Sequence, residues 1–103
     1  MIFYRKILKT GQITIPKEIS SKLNLLEGEY LFIYKYQNSI VIKKQHDNTT
    51  LNQCIFRYGK ISIPAELRKL IGITQNTRLK VQMNNFSDHI IITPEKERLL
   101  KDA

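Results

Sequence analysis

The chain has 103 residues, 17 Lys plus Arg against nine Asp plus Glu, and a formal charge of +8. That length leaves room for one small core and excludes large multi-domain enzymes, while a hydrophobic content of 42% is too high for a disordered basic tail. The charge therefore belongs on a folded surface and points to a polyanionic partner, either nucleic acid or an anionic membrane face.

The chain opens on "MIFYRKILK", whose basic residues stand in the wrong place for a signal peptide. No apolar run approaches the roughly 18 residues needed to span a bilayer. Gly11 then marks a turn, and "QITIP" alternates Ile with polar residues, the period of a strand with one face buried. Pro16 ends that strand and opens a short helix, with Glu18 at its positive end and Ile19 and Leu23 four apart on its inner face. Gly28 is expected at the helix exit or the turn beyond it. Two strands follow, "YLFIYKY" and "SIVIKK", joined by a turn at Gln37-Asn38.

After the polar stretch "QHDNTT" the same order returns. Residues 5 to 33 align on residues 53 to 81 without a gap, with identity at Ile7/Ile55, Gly11/Gly59, Ile13/Ile61, Ile15/Ile63, Pro16/Pro64, Glu18/Glu66 and Leu31/Leu79. In the second copy Leu67 and Ile71 take the inner face of the helix, and Asn76 takes the place of Gly28. The pairing resumes two residues out of step, with Ile40 to Ile42 matched to Ile90 to Ile92, so the last hairpin of the second copy has a longer turn, Asn84 to Asp88. We divide the chain into a first motif at 1–45, a linker at 46–52, a second motif at 53–94 and a short tail at 95–103. One motif alone is too small to bury a satisfactory core, so the two are expected to interleave as one globular unit with pseudo-twofold symmetry.

The runs "GQITIPKEI…LNLLEGEYLFIY…IVIKK" and "GKISIPAELRKLIGI…TRLKV…IIIT" resemble the AbrB/SpoVT group of swapped-hairpin DNA-binding domains, over about 80 of the 103 residues. The resemblance implies a mainly β, α+β fold with two short helices, in which two motifs swap hairpins to build one barrel. It implies a transcriptional regulator that binds double-stranded DNA through a basic turn-and-helix face, or an antitoxin of the MazE type with a toxin partner. Two copies in one chain is also the arrangement of the related MraZ proteins, whose acidic-to-Arg motif is missing here.

Residues 5–22 and 53–70 carry +4 and +3 of the total charge, on the elements that the resemblance assigns to DNA. The expected DNA-binding residues are Arg5, Lys6, Lys9, Gln12 and Lys17 in the first copy and Arg57, Lys60, Arg68 and Lys69 in the second. Arg57 and Arg68 are expected to reach base edges, because Arg can bond bidentately to guanine. The second copy holds the basic turn and helix. The first has Gln12 and Ser20-Ser21 there, and instead carries Arg5 and Lys6 where the second has Gln53 and Cys54. The expected target is an imperfect palindrome, or an asymmetric or bent A/T-rich site.

Cys54 lies between apolar neighbours and is read as a small core residue in a reducing compartment. His46 and His89 have no partners at metal-ligand spacing. No phosphate loop, nucleophile motif or acid/base pair is visible, so neither an enzyme nor a cofactor is expected. The protein is expected in the cytoplasm, associated with the nucleoid, with a further homodimer left open. A rival from another class is a protein-assembly module docking through "ERLL" in the tail.

Overall fold

Where Ile alternates with polar residues the chain is extended, and where Pro, Glu and a four-residue apolar spacing coincide it turns into a helix. The computed structural model describes residues 1–83 and 88–95. In chain order the elements are β1 (Ile2–Lys6), β2 (Gln12–Thr14), α1 (Lys17–Lys22), β3 (Glu29–Tyr36), β4 (Ser39–Lys43), β5 (Gln53–Arg57), β6 (Lys60–Ser62), α2 (Ala65–Ile71), β7 (Arg78–Gln82) and β8 (His89–Glu95). The eight strands form one antiparallel sheet in the order β1-β7-β8-β4-β3-β5-β6-β2, nearly closed into a barrel.

That order is a swap. β1 pairs with β7 and β5 with β3, so each half of the sequence lays its first strand beside the third strand of the other half. β2 pairs with β6, and Ile40, Val41 and Ile42 of β4 lie directly opposite Ile92, Ile91 and Ile90 of β8. The inward residues of both halves fill one core, in which Ile13, Ile19, Ile33, Ile40, Ile61, Leu79, Val81, Ile90 and Ile92 have no exposed surface. At about 2–3 kcal/mol for each fully buried Ile, neither half could bury these faces alone. The core is therefore shared by construction.

The structure alters four details of the sequence reading. First, the helices leave at Asn24 (φ 54°) and Gly72 (φ 82°); Gly28 (φ 84°) takes the left-handed conformation in the turn beyond, as expected, whereas Asn76 does not take it. The Gly72 amide donates to the Arg68 carbonyl at 2.9 Å and that of Ile73 to the same oxygen at 2.8 Å, which closes the helix end. Second, Pro16 and Pro64 are the residues before the helices, in extended conformation, rather than their first turn. Third, β8 runs through Glu95, which the sequence had placed in the tail. The rest of that tail and Asn84 to Ser87 of the expected turn lie outside the described residues.

The fourth difference concerns the first hairpin of each half. β5 and β6 are joined by Tyr58-Gly59, both with positive φ as a two-residue type I′ turn requires. The first half uses one more residue. The Gly11 amide donates to the Leu8 carbonyl (2.9 Å), the Leu8 amide to the Gln12 carbonyl (2.7 Å), and Gly11 (φ 84°) supplies the left-handed residue of a three-residue loop. Because of that residue the ungapped alignment fails upstream of the turn. Leu79 lies opposite Arg5, whereas its counterpart Leu31 lies opposite Cys54. Arg5, not Lys6, occupies the place of Cys54, and buried Ile7 corresponds to buried Phe56.

Candidate nucleic-acid interface

The β2–β6 ribbon is three pairs long: Gln12↔Ser62, Ile13↔Ile61 and Thr14↔Lys60. Ile13 and Ile61 point into the core, so strand alternation sends Gln12, Thr14, Lys60 and Ser62 to the outer side. Across the β5–β6 hairpin, Arg57 is the direct partner of Lys60. Thr14, Lys60 and Arg57 thus lie in one row over three strands. Tyr58 stands at the hairpin tip, 80% exposed. Its amide donates to both carboxylate oxygens of Glu27, at 2.8 and 3.1 Å, which pins the turn.

The matching row on the first half is weaker in charge. Through the Leu8–Gln12 hydrogen bond, exposed Leu8 stands where the other hairpin has Arg57, and Gln12 where it has Lys60. Lys9 and Thr10 are exposed in the loop, where the Thr10 hydroxyl bonds to the Gln12 side-chain oxygen at 3.2 Å. Lys17 is exposed at the start of α1 and Lys69 on α2.

Arg68 is held differently from the other predicted contacts. Its Nε donates to the Ile63 carbonyl at 3.0 Å, and its guanidinium covers Gly11 of the other half so closely that a Cβ there would lie 2.9 Å from Cζ and Nη2. The Ile63 amide in turn donates to the Gly11 carbonyl (3.0 Å), and the Ile15 amide to that of Gly59 (2.9 Å). The two turns and two helices are stitched together at this point. Arg68 does part of the stitching, whereas its counterpart Ser20 bonds locally to the Lys17 carbonyl.

Arg5 and Lys6 are not in the turn. They lie along β1 beside β7, where Arg5 donates to the Tyr4 carbonyl (2.8 Å) and has its guanidinium carbon 5.7 Å from the Phe3 ring centre. Lys6 is the direct partner of Arg78. Arg78 lies over the Tyr4 ring at 4.2 Å, with Glu95 3.8 Å from its Nε, and Tyr4 is itself opposite Lys80. Lys6, Arg78 and Lys80 therefore form a second basic area. Arg78 and Lys80 were absent from the sequence-based set because only the strand swap puts them next to Lys6.

Among the described residues there is no group of three His, Cys, Asp or Glu side chains placed to hold a metal ion, and no helix long and apolar enough to cross a membrane. Cys54 is buried, and burial pushes its thiol up to about 12, far from a nucleophile at neutral pH. His46 packs edge-on against Tyr34 at 5.1 Å and accepts the Asn48 amide at 2.9 Å. Asp88 bonds to His89, and that bond lowers its carboxyl below the usual range.

Comparison with known proteins bears on the fold and on the first half of the chain. Residues 4–50 match the family model described as antidote-toxin recognition MazE, bacterial antitoxin. The solution structure of PHS018 from Pyrococcus horikoshii superposes with a TM-score of 0.55 over 94% of each chain, at 18% identity. At that identity the likeness is one of fold. No curated protein sequence matches the chain significantly.

Proposed function

Starting from a first motif, residues 4–50, that belongs to the MazE, AbrB/SpoVT-like family, we propose that the protein is a transcriptional regulator that binds double-stranded DNA through the β2–β6 ribbon and its flanking turns. The observation that carries this reading is the row Thr14, Lys60, Arg57 beside exposed Tyr58. Like charges directly opposite each other in a ladder weaken a sheet, so Arg57 against Lys60 is a cost to the fold that an anionic partner relieves. A two-stranded ribbon also has the dimensions of the DNA major groove. Gln12 and Thr14 would face base edges. Lys9, Lys17, Arg57, Lys60 and Lys69 would contact phosphates, fixing register without naming a base.

Arg68, pinned over Gly11, is assigned to positioning the first turn rather than to a base. With five or six phosphate contacts, the logarithm of affinity should fall against the logarithm of salt with a slope of roughly −5. A gel-shift series at several salt concentrations, comparing the natural chain with Arg57→Gln/Lys60→Gln, tests the reading. The slope should become shallower by about two in the variant. A natural chain with no salt dependence, or a variant that binds as tightly, would exclude this face.

A second reading has one specific observation in its favour: the family model matched by residues 4–50 is that of an antitoxin. In that reading the protein would also hold a toxin and regulate its own gene. Copurification with a stoichiometric small protein encoded beside it would support it.

A further inference from the structure

The two halves also differ where each helix ends. In the first half, the Lys44 ammonium donates to the carbonyls of Leu23 and Asn24, at 3.1 and 3.2 Å, and lies 3.5 Å from the Glu29 carboxylate. One flexible cation fills that corner. In the second half the corresponding residues are Pro94 for Lys44, Ile71 and Gly72 for Leu23 and Asn24, Thr77 for Glu29 and Arg78 for Tyr30. No ammonium can reach the helix end from Pro94. The corner is an open cleft of about 610 Å³, with Lys6, Thr74, Asn76, Thr77, Arg78 and Glu95 among the residues that line it.

The charge in this cleft is only partly offset within the chain. Lys6 and Arg78 are direct cross-strand partners, so their side chains leave the same face of the sheet about 5 Å apart and repel. At the matching place in the other half, Ile55 faces Tyr30. Arg78 has an exposed counterion in Glu95 at 3.8 Å, a pair of the kind that contributes little. Among the described residues Lys6 is in no ion pair. The Arg78 guanidinium is also held in place over the Tyr4 ring, at 4.2 Å. Two cations, one of them pre-positioned, make a setting for a tetrahedral oxyanion; the Thr74 and Thr77 hydroxyls in the same lining bond to each other at 3.2 Å and accept the Asn76 and Thr74 amides, which leaves one hydroxyl proton for an anion.

We propose that this cleft binds a phosphate-type oxyanion between Lys6 and Arg78, with Glu95 swinging away from Arg78 on binding. The oxyanion is either a DNA backbone phosphate beyond the ribbon, an assignment that rests on the DNA-binding reading above, or the phosphate of a small ligand. Since the other half has Ile55 and Tyr30 in place of the two cations, the chain would hold its partner in one orientation only.

The test uses the full chain and the variant Lys6→Gln/Arg78→Gln, with Lys6→Arg as a charge-preserving control. Lys6→Arg should melt like the natural chain, and the double variant close to it, because the repulsion that it removes is offset by loss of the Arg78–Tyr4 contact. Two measurements are made: the salt dependence of binding to a duplex, and amide shifts at Gly72 to Thr77 during titration with inorganic phosphate. A slope shallower by about one in the double variant, but not in Lys6→Arg, assigns the site to a single DNA phosphate. An unchanged slope with saturable phosphate shifts, lost in the double variant, assigns it to a small phosphorylated ligand. An unchanged slope with no saturable shifts overturns the proposal. If the natural chain binds no duplex at all, the ribbon reading fails, and the phosphate titration decides this site by itself.

Discussion

Arg68 and Gly11 belong to opposite halves of the chain and are in contact: the guanidinium of one lies where the other would carry a Cβ, at 2.9 Å. Gly59, the counterpart of Gly11, has nothing within 4 Å of the same point. Both glycines have positive φ, so Ala at either site should lose about 1–2 kcal/mol to backbone strain. Only Gly11→Ala must also push Arg68 off the Ile63 carbonyl. Gly11→Ala should therefore be the more destabilising by about 1 kcal/mol, and combining each with Arg68→Ala should remove the difference. Urea unfolding of the four variants and Arg68→Ala alone measures it. Equal losses at Gly11 and Gly59 would show that the contact has no energetic weight.

The same contact determines how loss of DNA binding in an Arg68 variant should be interpreted. Arg68→Ala leaves the Ile63 carbonyl without its side-chain donor and should cost about 1 kcal/mol of stability. Lys69→Ala, at an exposed neighbouring position, should leave stability within about 0.5 kcal/mol. Its effect on affinity is then a clean measure of charge at the helix. Thermal midpoints measured beside gel shifts separate the two. An Arg68→Ala chain that melts like the natural one, but binds DNA poorly, would return Arg68 to direct contact.

The order of elements was legible because it rests on signals that act locally: alternating Ile at 13 and 15 and at 61 and 63, Pro at 16 and 64, and the Gln37-Asn38 turn. The swap was legible only through the family resemblance, since nothing local to β1 indicates that its neighbour is β7. What escaped has the same cause. The extra loop residue in Leu8 to Gly11 is invisible to an alignment that scores Ile7 against Ile55 as identity, although a one-residue slip exchanges the buried and exposed faces of a strand. Arg78 and Lys80 were counted with a nearly neutral hairpin, when pairing places them against Lys6 and Tyr4. Arg68 was chosen for its charge and for its place in the helix that the resemblance assigns to DNA. Its reach across to Gly11 is a fact of tertiary structure.

Lys44 gives a prediction about the helix end that is closed. Its ammonium satisfies two carbonyls at the negative end of α1 and neighbours Glu29. Lys44→Met keeps the stem and removes the charge, and should cost about 1 kcal/mol. The loss should shrink in high salt, which a urea series with and without salt would detect. A loss that is unaffected by salt would mean that packing of the stem, not charge, is what matters.

Cys54 faces Leu31 across the β3–β5 ladder and is 6% exposed. Its thiol is raised from 9.0 to about 12 by burial. The sign follows from proton uptake. Below about pH 9 both folded and unfolded chains hold the proton and the residue adds no pH dependence. Between 9 and 12 the unfolded chain releases the proton and the folded chain does not, so stability should fall with pH, by up to roughly 1.4 kcal/mol per unit. Cys54→Ala should lack this component of the decline. At neutral pH a thiol reagent should label the chain only after denaturation. Rapid labelling of the folded protein would contradict the buried placement.

Two like-charged pairs, Arg57 with Lys60 and Lys6 with Arg78, are built directly across strands, in a chain that already carries +8. Each pair should cost a few tenths of a kcal/mol, and the cost is Coulombic. At about 10 mM salt the screening length is roughly 30 Å and the repulsion acts in full, while at about 150 mM it is roughly 8 Å. The thermal midpoint should therefore rise as sodium chloride is added over that range. General repulsion from the net charge contributes to the rise, so the pairs must be isolated by substitution. Lys6→Gln and Arg57→Gln each remove one unit of charge and one pair, whereas Lys9→Gln, at an exposed loop position in no ion pair among the described residues, removes only the charge. The first two should raise the low-salt midpoint more than Lys9→Gln does and should flatten the salt response further. If all three behave alike, the repulsion is a property of the whole surface, and the two pairs have no special strain for an anion to relieve.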